Sequence, residues 1–173
     1  MMKNGRGGGI RTANIAIAVI MIVAGFAAFA QAGLLDGIFG KSPAEAAKAA
    51  GVIETADVVK IPLKTLDSGK ALFLRQESEG RQLHYFALKS SDGAYRAALD
   101  ACDVCFRMNR GYRQEGDLMV CNNCGQTFPS VKIGEIKGGC NPHPLPRKVE
   151  GEYLVIKKSD IAAGKDYFAR KRS

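Results

Sequence analysis

The sequence predicts a small, mainly β metal-binding domain carried behind an N-terminal apolar segment. Three observations carry that expectation. From Val52 onward, short runs of β-branched and aromatic residues are broken by turn residues, the pattern of half-buried strands. Cys102, Cys105, Cys121 and Cys124 form the pattern C-x2-C-x15-C-x2-C. Each pair can wrap a tight turn around one side of a metal, and a hairpin between them can bring the two turns together. Residues 13–32 carry no charge, and from Ile15 to Ala30 every residue is apolar or glycine.

The leader, residues 1–12, is basic through Lys3, Arg6 and Arg11 and lies directly ahead of the apolar run, as in an export or membrane signal. Twenty helical residues rise roughly 30 Å, about one hydrocarbon core, so residues 13–32 read as a transmembrane anchor. Ala30-Gln31-Ala32 is also a small-x-small cleavage site, which leaves a removable signal as the alternative. Apolar character continues through Leu34, Leu35, Ile38 and Phe39, which favours the anchor. Basic residues on the N-terminal side keep the leader in the cytoplasm and put everything after Gly33 outside it. The expectation is a single-pass protein of the cell inner membrane, with residues 52–173 forming a periplasmic or extracellular domain.

At 173 residues, 46% hydrophobic and 24% charged, the chain has room for one domain plus this appendage. The net charge of +8 invites a nucleic-acid reading, but without the three leader cations 22 basic residues face 17 acidic ones, a net of +5. Those positives are scattered apart from Lys157-Lys158 and the Arg170-Lys171-Arg172 tail, so no nucleic-acid partner is expected. An accessory role fits better than an enzyme. No serine, histidine and carboxylate arrangement and no paired-carboxylate motif stands out, and two histidines leave few general bases.

Residues 33–51 read as a stalk with a short helix. Ser42-Pro43-Ala44-Glu45 gives a cap, a proline at the first helical position and a glutamate that reaches back, and Gly51 stops the helix after Ala50. Strands follow at Val58 to Leu63, Ala71 to Leu74 and Gln82 to Lys89, and Ser91-Asp92-Gly93 turns the chain into Ala94 to Ala98. His84 falls on the third of these as a packed histidine rather than a ligand. Gly111 to Arg113 and Asp117 to Val120 form a hairpin that carries the chain from one cysteine pair to the other. The Gly- and Pro-rich stretch from Gly138 to Pro146 predicts an ordered loop without ladder hydrogen bonds. Glu152 to Ile156 closes the strands, and Ser159-Asp160 introduces a short helix around Ile161 to Ala163.

Exported thiols are usually oxidised, so disulfides are an alternative, but five cysteines leave one over under that reading. Four ligands and one spare thiol account for all five. The metal is not written in the spacing, since zinc, a single iron and a two-iron cluster all accept four thiolates. Gly125 after Cys124 lets backbone N–H groups approach sulfur. Cys140 and His143 form a candidate additional metal or thiol site, with a buried structural thiol as the plainer role for Cys140. A further option is that Cys140 replaces one of the four. Asp100 and Asp103 flank the first cysteine as solvated carboxylates.

The order of strand, Asp-Gly turn, strand, cysteine pair, hairpin and second cysteine pair, followed by Gly, Phe, Gly-Glu and a Pro-rich loop, resembles the Rieske-type iron-sulfur domain. The residues that carry the resemblance are Asp92, Gly93, Cys102, Cys121, Gly125, Phe128, Gly134, Glu135, Pro144, Pro146 and Gly151. It implies a Rieske-like or rubredoxin-knuckle metal-binding β domain, with metal loops at the tip of a small sheet. The departure is that cysteines, Cys105 and Cys124, stand where that domain has histidines. The segment from Asp100 to Pro146 is also similar to a family of exported bacterial proteins described as membrane iron-sulfur-containing, FtrD-like. Cys-Asp-Val-Cys, Gly-Tyr-Arg-Gln-Glu-Gly-Asp, Cys-Asn-Asn-Cys-Gly-Gln and Gly-Gly-Cys-Asn-Pro carry that similarity. Together with the Rieske-like order it implies an iron-sulfur cluster, two-iron in form; on the spacing alone structural zinc is the alternative. It also implies electron transfer or iron transport at the membrane, beside an iron permease or other transport and redox components.

Overall fold

The structure, a computed structural model, describes residues 43–169 of the chain. The basic leader, the apolar segment at 13–32, residues 33–42 of the stalk and the tail at 170–173 lie outside the described residues. Among the described residues no helix is long and apolar enough to cross a membrane.

The described residues are mainly β, with ten strands in three antiparallel sheets. Helix α1, Pro43–Ala49, opens on its proline and carries Glu45 in its first turn and Lys48 in its last, as the helix dipole favours. It packs on strand β3, and its Ala47 lies against the core. Strands β1, Ile53–Glu54, and β2, Val58–Pro62, lead to a one-turn helix α2, Leu63–Leu66. Strands β3, Leu72–Ser78, β4, Arg81–Lys89, and β5, Tyr95–Leu99, form the middle sheet in the order β3-β4-β5. The small sheet follows as β6, Tyr112–Glu115, β7, Leu118–Cys121, and β8, Thr127–Pro129. Strands β9, Lys148–Glu150, and β10, Tyr153–Lys157, then complete a sheet in the order β1-β2-β10-β9, and helix α3, Lys158–Ala163, ends the run.

Strand β4 explains how these sheets share a core. Its alternation is the expected one, but both faces are covered. Leu83, Tyr85 and Ala87 join Val59 and Ile61 of β2 and Leu154 and Ile156 of β10 in one cluster. Phe86 and Leu88 face the other way, into a cluster with Tyr112, Met119, Ile133, Cys102 and Cys121. Each fully buried Val, Leu, Ile, Phe or Met side chain among these stabilises the fold by about 1.5–3 kcal/mol. Two of the cysteines are therefore part of the hydrophobic core on the side of the small sheet. His84 packs near the Phe168 ring, at 6.0 Å between centroids, and burial, helped by Arg75, holds its pKa below the usual histidine value.

Residues that carried the Rieske resemblance form a buttress for this arrangement. Arg96 of β5, only 8% exposed, bonds Asp92 at 2.6 Å, Glu135 at 2.6 Å and the Ser90 hydroxyl at 2.8 Å. Arg147 takes the same Glu135 oxygen at 2.7 Å. The Asp92 carboxyl is lowered to about 2 by hydrogen bonds from Ser90, the Ala94 amide and Arg96. Asp92 and Glu135 thus tie the β4–β5 turn and the long connection after β8 to one buried guanidinium.

That connection departs from the sequence expectation. His143 N–H donates to Ala101 O at 2.9 Å, Leu145 N–H donates to Ala97 O at 3.2 Å, and His143 O accepts from Leu99 N–H at 2.9 Å. Residues 142–146 therefore run as an extra rung beside β5, with Ala98 bridged to Pro144. Pro142, Pro144 and Pro146 alternate with residues that retain an N–H. The missing donors fall on the side facing away from β5, which is where an edge tolerates proline.

Candidate metal centre

The first cysteine turn leaves the end of β5. Cys102 is buried against Phe86, Ala98 and Tyr112, and its sulfur accepts the Cys105 N–H at 3.1 Å. One 3-10 turn, Phe106–Met108, follows and ends at Asn109 in the left-handed region. Asp100 holds the turn from below, accepting the Tyr112 N–H at 2.6 Å. Gly111, at φ 60°, lies against this carboxylate, where an added β-carbon would sit 2.6 Å from the Asp100 Cγ. Asp100 is thus not the solvated group that the sequence suggests. Burial pushes its carboxyl up to about 7, against the opposing pull of the Tyr112 amide. Asp103 is exposed and accepts from the Tyr167 hydroxyl.

The second turn closes on itself at the end of β7. The register sets Cys121 opposite Tyr112 of β6. The Cys121 N–H donates to Gln126 O at 2.9 Å, and the Gly125 N–H returns to Cys121 O at 2.9 Å. Gly125 has φ 75°, which favours glycine. Burial pushes the Cys121 thiol up to about 11, while the amides of Cys124 and Asn123 pull it down. Cys124 is exposed, and the Gln126 amide draws its thiol below the ordinary value. The Asn123 side-chain amide crosses to the first turn and donates to Cys105 Sγ at 3.3 Å.

The fifth cysteine reaches the same place. Cys140 Sγ lies 3.9 Å from Cys105 Sγ. Two groups of sulfurs, Cys102, Cys105 and Cys140 in one and Cys105, Cys121 and Cys124 in the other, each fall within 4.8 Å of one another. Tyr112 spans the cluster, its hydroxyl donating to Cys140 O at 2.6 Å. Burial, then the thiols of Cys124 and Cys105, pushes Cys140 up to about 12. His143 turns elsewhere, with Nδ1 2.8 Å from the Tyr167 hydroxyl and 3.5 Å from Asp103.

Sulfurs so grouped suit a thiophilic metal. Two thiolates on one tetrahedral ion with bonds of about 2.3 Å lie about 3.8 Å apart, matching the Cys105 to Cys140 distance. N–H groups aimed at sulfur stabilise the thiolate form that a metal requires, and metal binding displaces the protons that burial otherwise retains. Five thiols exceed by one the needs of a four-thiolate zinc or two-iron site. Sequence reasoning missed Asp100, Tyr112 and Asn123 as supports, because each acts through a partner distant in the chain or through a backbone amide. Residues 66–168, more than half of the chain, match the family model described as membrane iron-sulfur containing protein FtrD-like. Neither the curated proteins nor the solved structures give a match.

Proposed function

The chain belongs to the FtrD-like family of membrane iron-sulfur containing proteins, and on that premise we propose that it is an exported, membrane-anchored iron-sulfur protein that passes electrons or assists iron uptake at the bacterial membrane. The observation that carries this reading is that the Cys105 sulfur lies within 4.8 Å of Cys121 and Cys124 on the second turn and of Cys102 on its own, with N–H groups aimed at Cys102, Cys121 and Cys124. These four residues would hold a cluster of two-iron form. A bound cluster of that type supplies a one-electron couple. Cys102 and Cys121 would bind it from the core side, where Phe86, Met119 and Ile133 pack around them and would exclude water. Cys124 leaves one edge of the site at the surface, within reach of a redox partner.

A Rieske-like form of the site is supported by the two turns lying at the end of the small β6-β7-β8 sheet, beside larger sheets that carry the core. With sulfur in place of imidazole, the expected potential is low, roughly −400 mV rather than the −150 to +300 mV of histidine-ligated centres. The uncharged run at 13–32 supports an inner-membrane anchor with the described domain on the periplasmic side. An iron permease or another transport or redox component is the partner this reading proposes.

A second reading is a structural zinc ribbon with no redox role. It is favoured by the compactness of Cys105, Cys121 and Cys124, which lie close enough to share one ion. A spectroelectrochemical titration of anaerobically purified protein separates the two. A one-electron couple near the low end of the iron-sulfur range supports electron transfer, and the lack of any couple across that range contradicts it.

A further inference from the structure

Five thiols converge where four are needed, and we propose that Cys140 is a reserve ligand that takes the place of Cys124 beside Cys105. The inference rests on the metal-centre reading above and adds to it the exchange of one ligand for another. Cys105 is common to both sulfur groups, neighbouring Cys121 and Cys124 in one and Cys102 and Cys140 in the other. Its separation of 3.9 Å from Cys140 Sγ is already that of two thiolates on one tetrahedral ion. Either sulfur can therefore complete the coordination next to Cys105.

The two competitors differ in exposure. Cys124 is exposed and is the first sulfur that solvent or a competing ligand reaches, whereas Cys102 and Cys121 are buried and Cys140 is half-buried. Cys140 is also held in position while it waits. The Tyr112 hydroxyl fixes its carbonyl at 2.6 Å, and Asn141 closes the turn onto Gly138 O through its N–H at 3.3 Å and its side-chain amide at 3.0 Å. On the far side, the rung beside β5 anchors His143 to Ala101 at 2.9 Å. The exchange balances without an oxidant: the Cys140 thiol gives up its proton as its sulfur binds, and the departing Cys124 thiolate takes one up.

The test uses the full chain in detergent, purified anaerobically, as wild type, Cys124→Ser, Cys140→Ser and the double variant. Metal per chain and visible circular dichroism are measured, and native protein is alkylated with iodoacetamide and mapped by mass spectrometry. Wild type and Cys140→Ser are expected to hold equal metal with one spectrum. Cys124→Ser should keep its metal with an altered spectrum, and the double variant should lose it. Alkylation should mark Cys140 in wild type and spare it in Cys124→Ser. Loss of metal from Cys124→Ser to the level of the double variant overturns the inference, as does loss from Cys140→Ser alone. Should a variant fold poorly, the wild-type map decides: label on Cys140 supports the exchange, and label on Cys124 with Cys140 protected overturns it. Zinc in place of iron and sulfide in wild type refutes the cluster reading, and the exchange is then read from zinc stoichiometry in the same variants. A wild-type chain that holds no metal overturns the exchange as well.

Discussion

The two C-x2-C turns share a spacing and are built by different means. The second is local: Cys121, Gly125 and Gln126 close its backbone on itself, and its own amides point at its sulfurs. The first depends on the rest of the domain. Asp100 ties it to β6 through Tyr112, Asn123 of the other turn reaches Cys105, and Phe106 packs edge-on against Tyr167 at 5.6 Å. In each turn the leading cysteine is buried and the trailing one is more exposed. Identical spacing therefore marks where sulfur must arrive, while the surroundings decide how firmly each sulfur is held.

The largest effect should come from the leading cysteines. Cys102→Ser or Cys121→Ser removes a buried sulfur proposed as a core-side ligand and should abolish metal binding, read as complete loss of bound metal. Retention of full metal by either variant would show that the buried sulfurs are only packing. Next come the two glycines, which separate the turns directly. Gly111→Ala must adopt a left-handed backbone and displace the Asp100 carboxylate from the Tyr112 amide, at a cost of about 3 kcal/mol. Gly125→Ala meets nothing within 4 Å and carries only the backbone cost, about 1 kcal/mol. Denaturant melts of the two should differ in that order, and equal losses would dissolve the contrast between the turns.

A smaller effect is expected at the crossing contact. Asn123→Ala removes the only side-chain amide that donates to sulfur among the described residues, and it should lower the reduction potential without changing metal content. An unchanged potential would mean that the contact only positions the loop. The smallest effect lies outside both turns. Asp92 is held at about 2 in the folded protein against about 3.9 in an unfolded chain. Its contribution to stability is thus present above pH 4 and lost as the pH falls toward 2. Thermal melts of Asp92→Asn should show a shallower loss over that window than wild type, and parallel curves would argue against the Arg96 network as an acid-sensitive brace.

Much of this was legible in the sequence because it is local. The C-x2-C pairs, the hairpin between them and the strands at β2, β4, β5 and β10 announce themselves through spacing and alternation. Where Cys140 sits, which the sequence offers only as one option among three, is set by long-range pairing. Cys140 lies 35 positions from Cys105, and it arrives there because the proline-alternating segment at 142–146 lines the edge of β5. The signal was present in Pro142-His143-Pro144-Leu145-Pro146, where every second residue keeps its N–H, but proline density reads first as loop. Asp100 looked solvated because its partner is a backbone amide, which no side-chain motif records.

Metal analysis decides whether these thiols hold an iron-sulfur cluster. Iron, acid-labile sulfide and zinc are measured per chain on anaerobically purified protein, with electron paramagnetic resonance after reduction. An iron-sulfur site of two-iron form gives a brown protein with about two iron and about two sulfide per chain and a reduced-cluster signal, the expected result. A colourless protein with about one zinc per chain and no sulfide would contradict it.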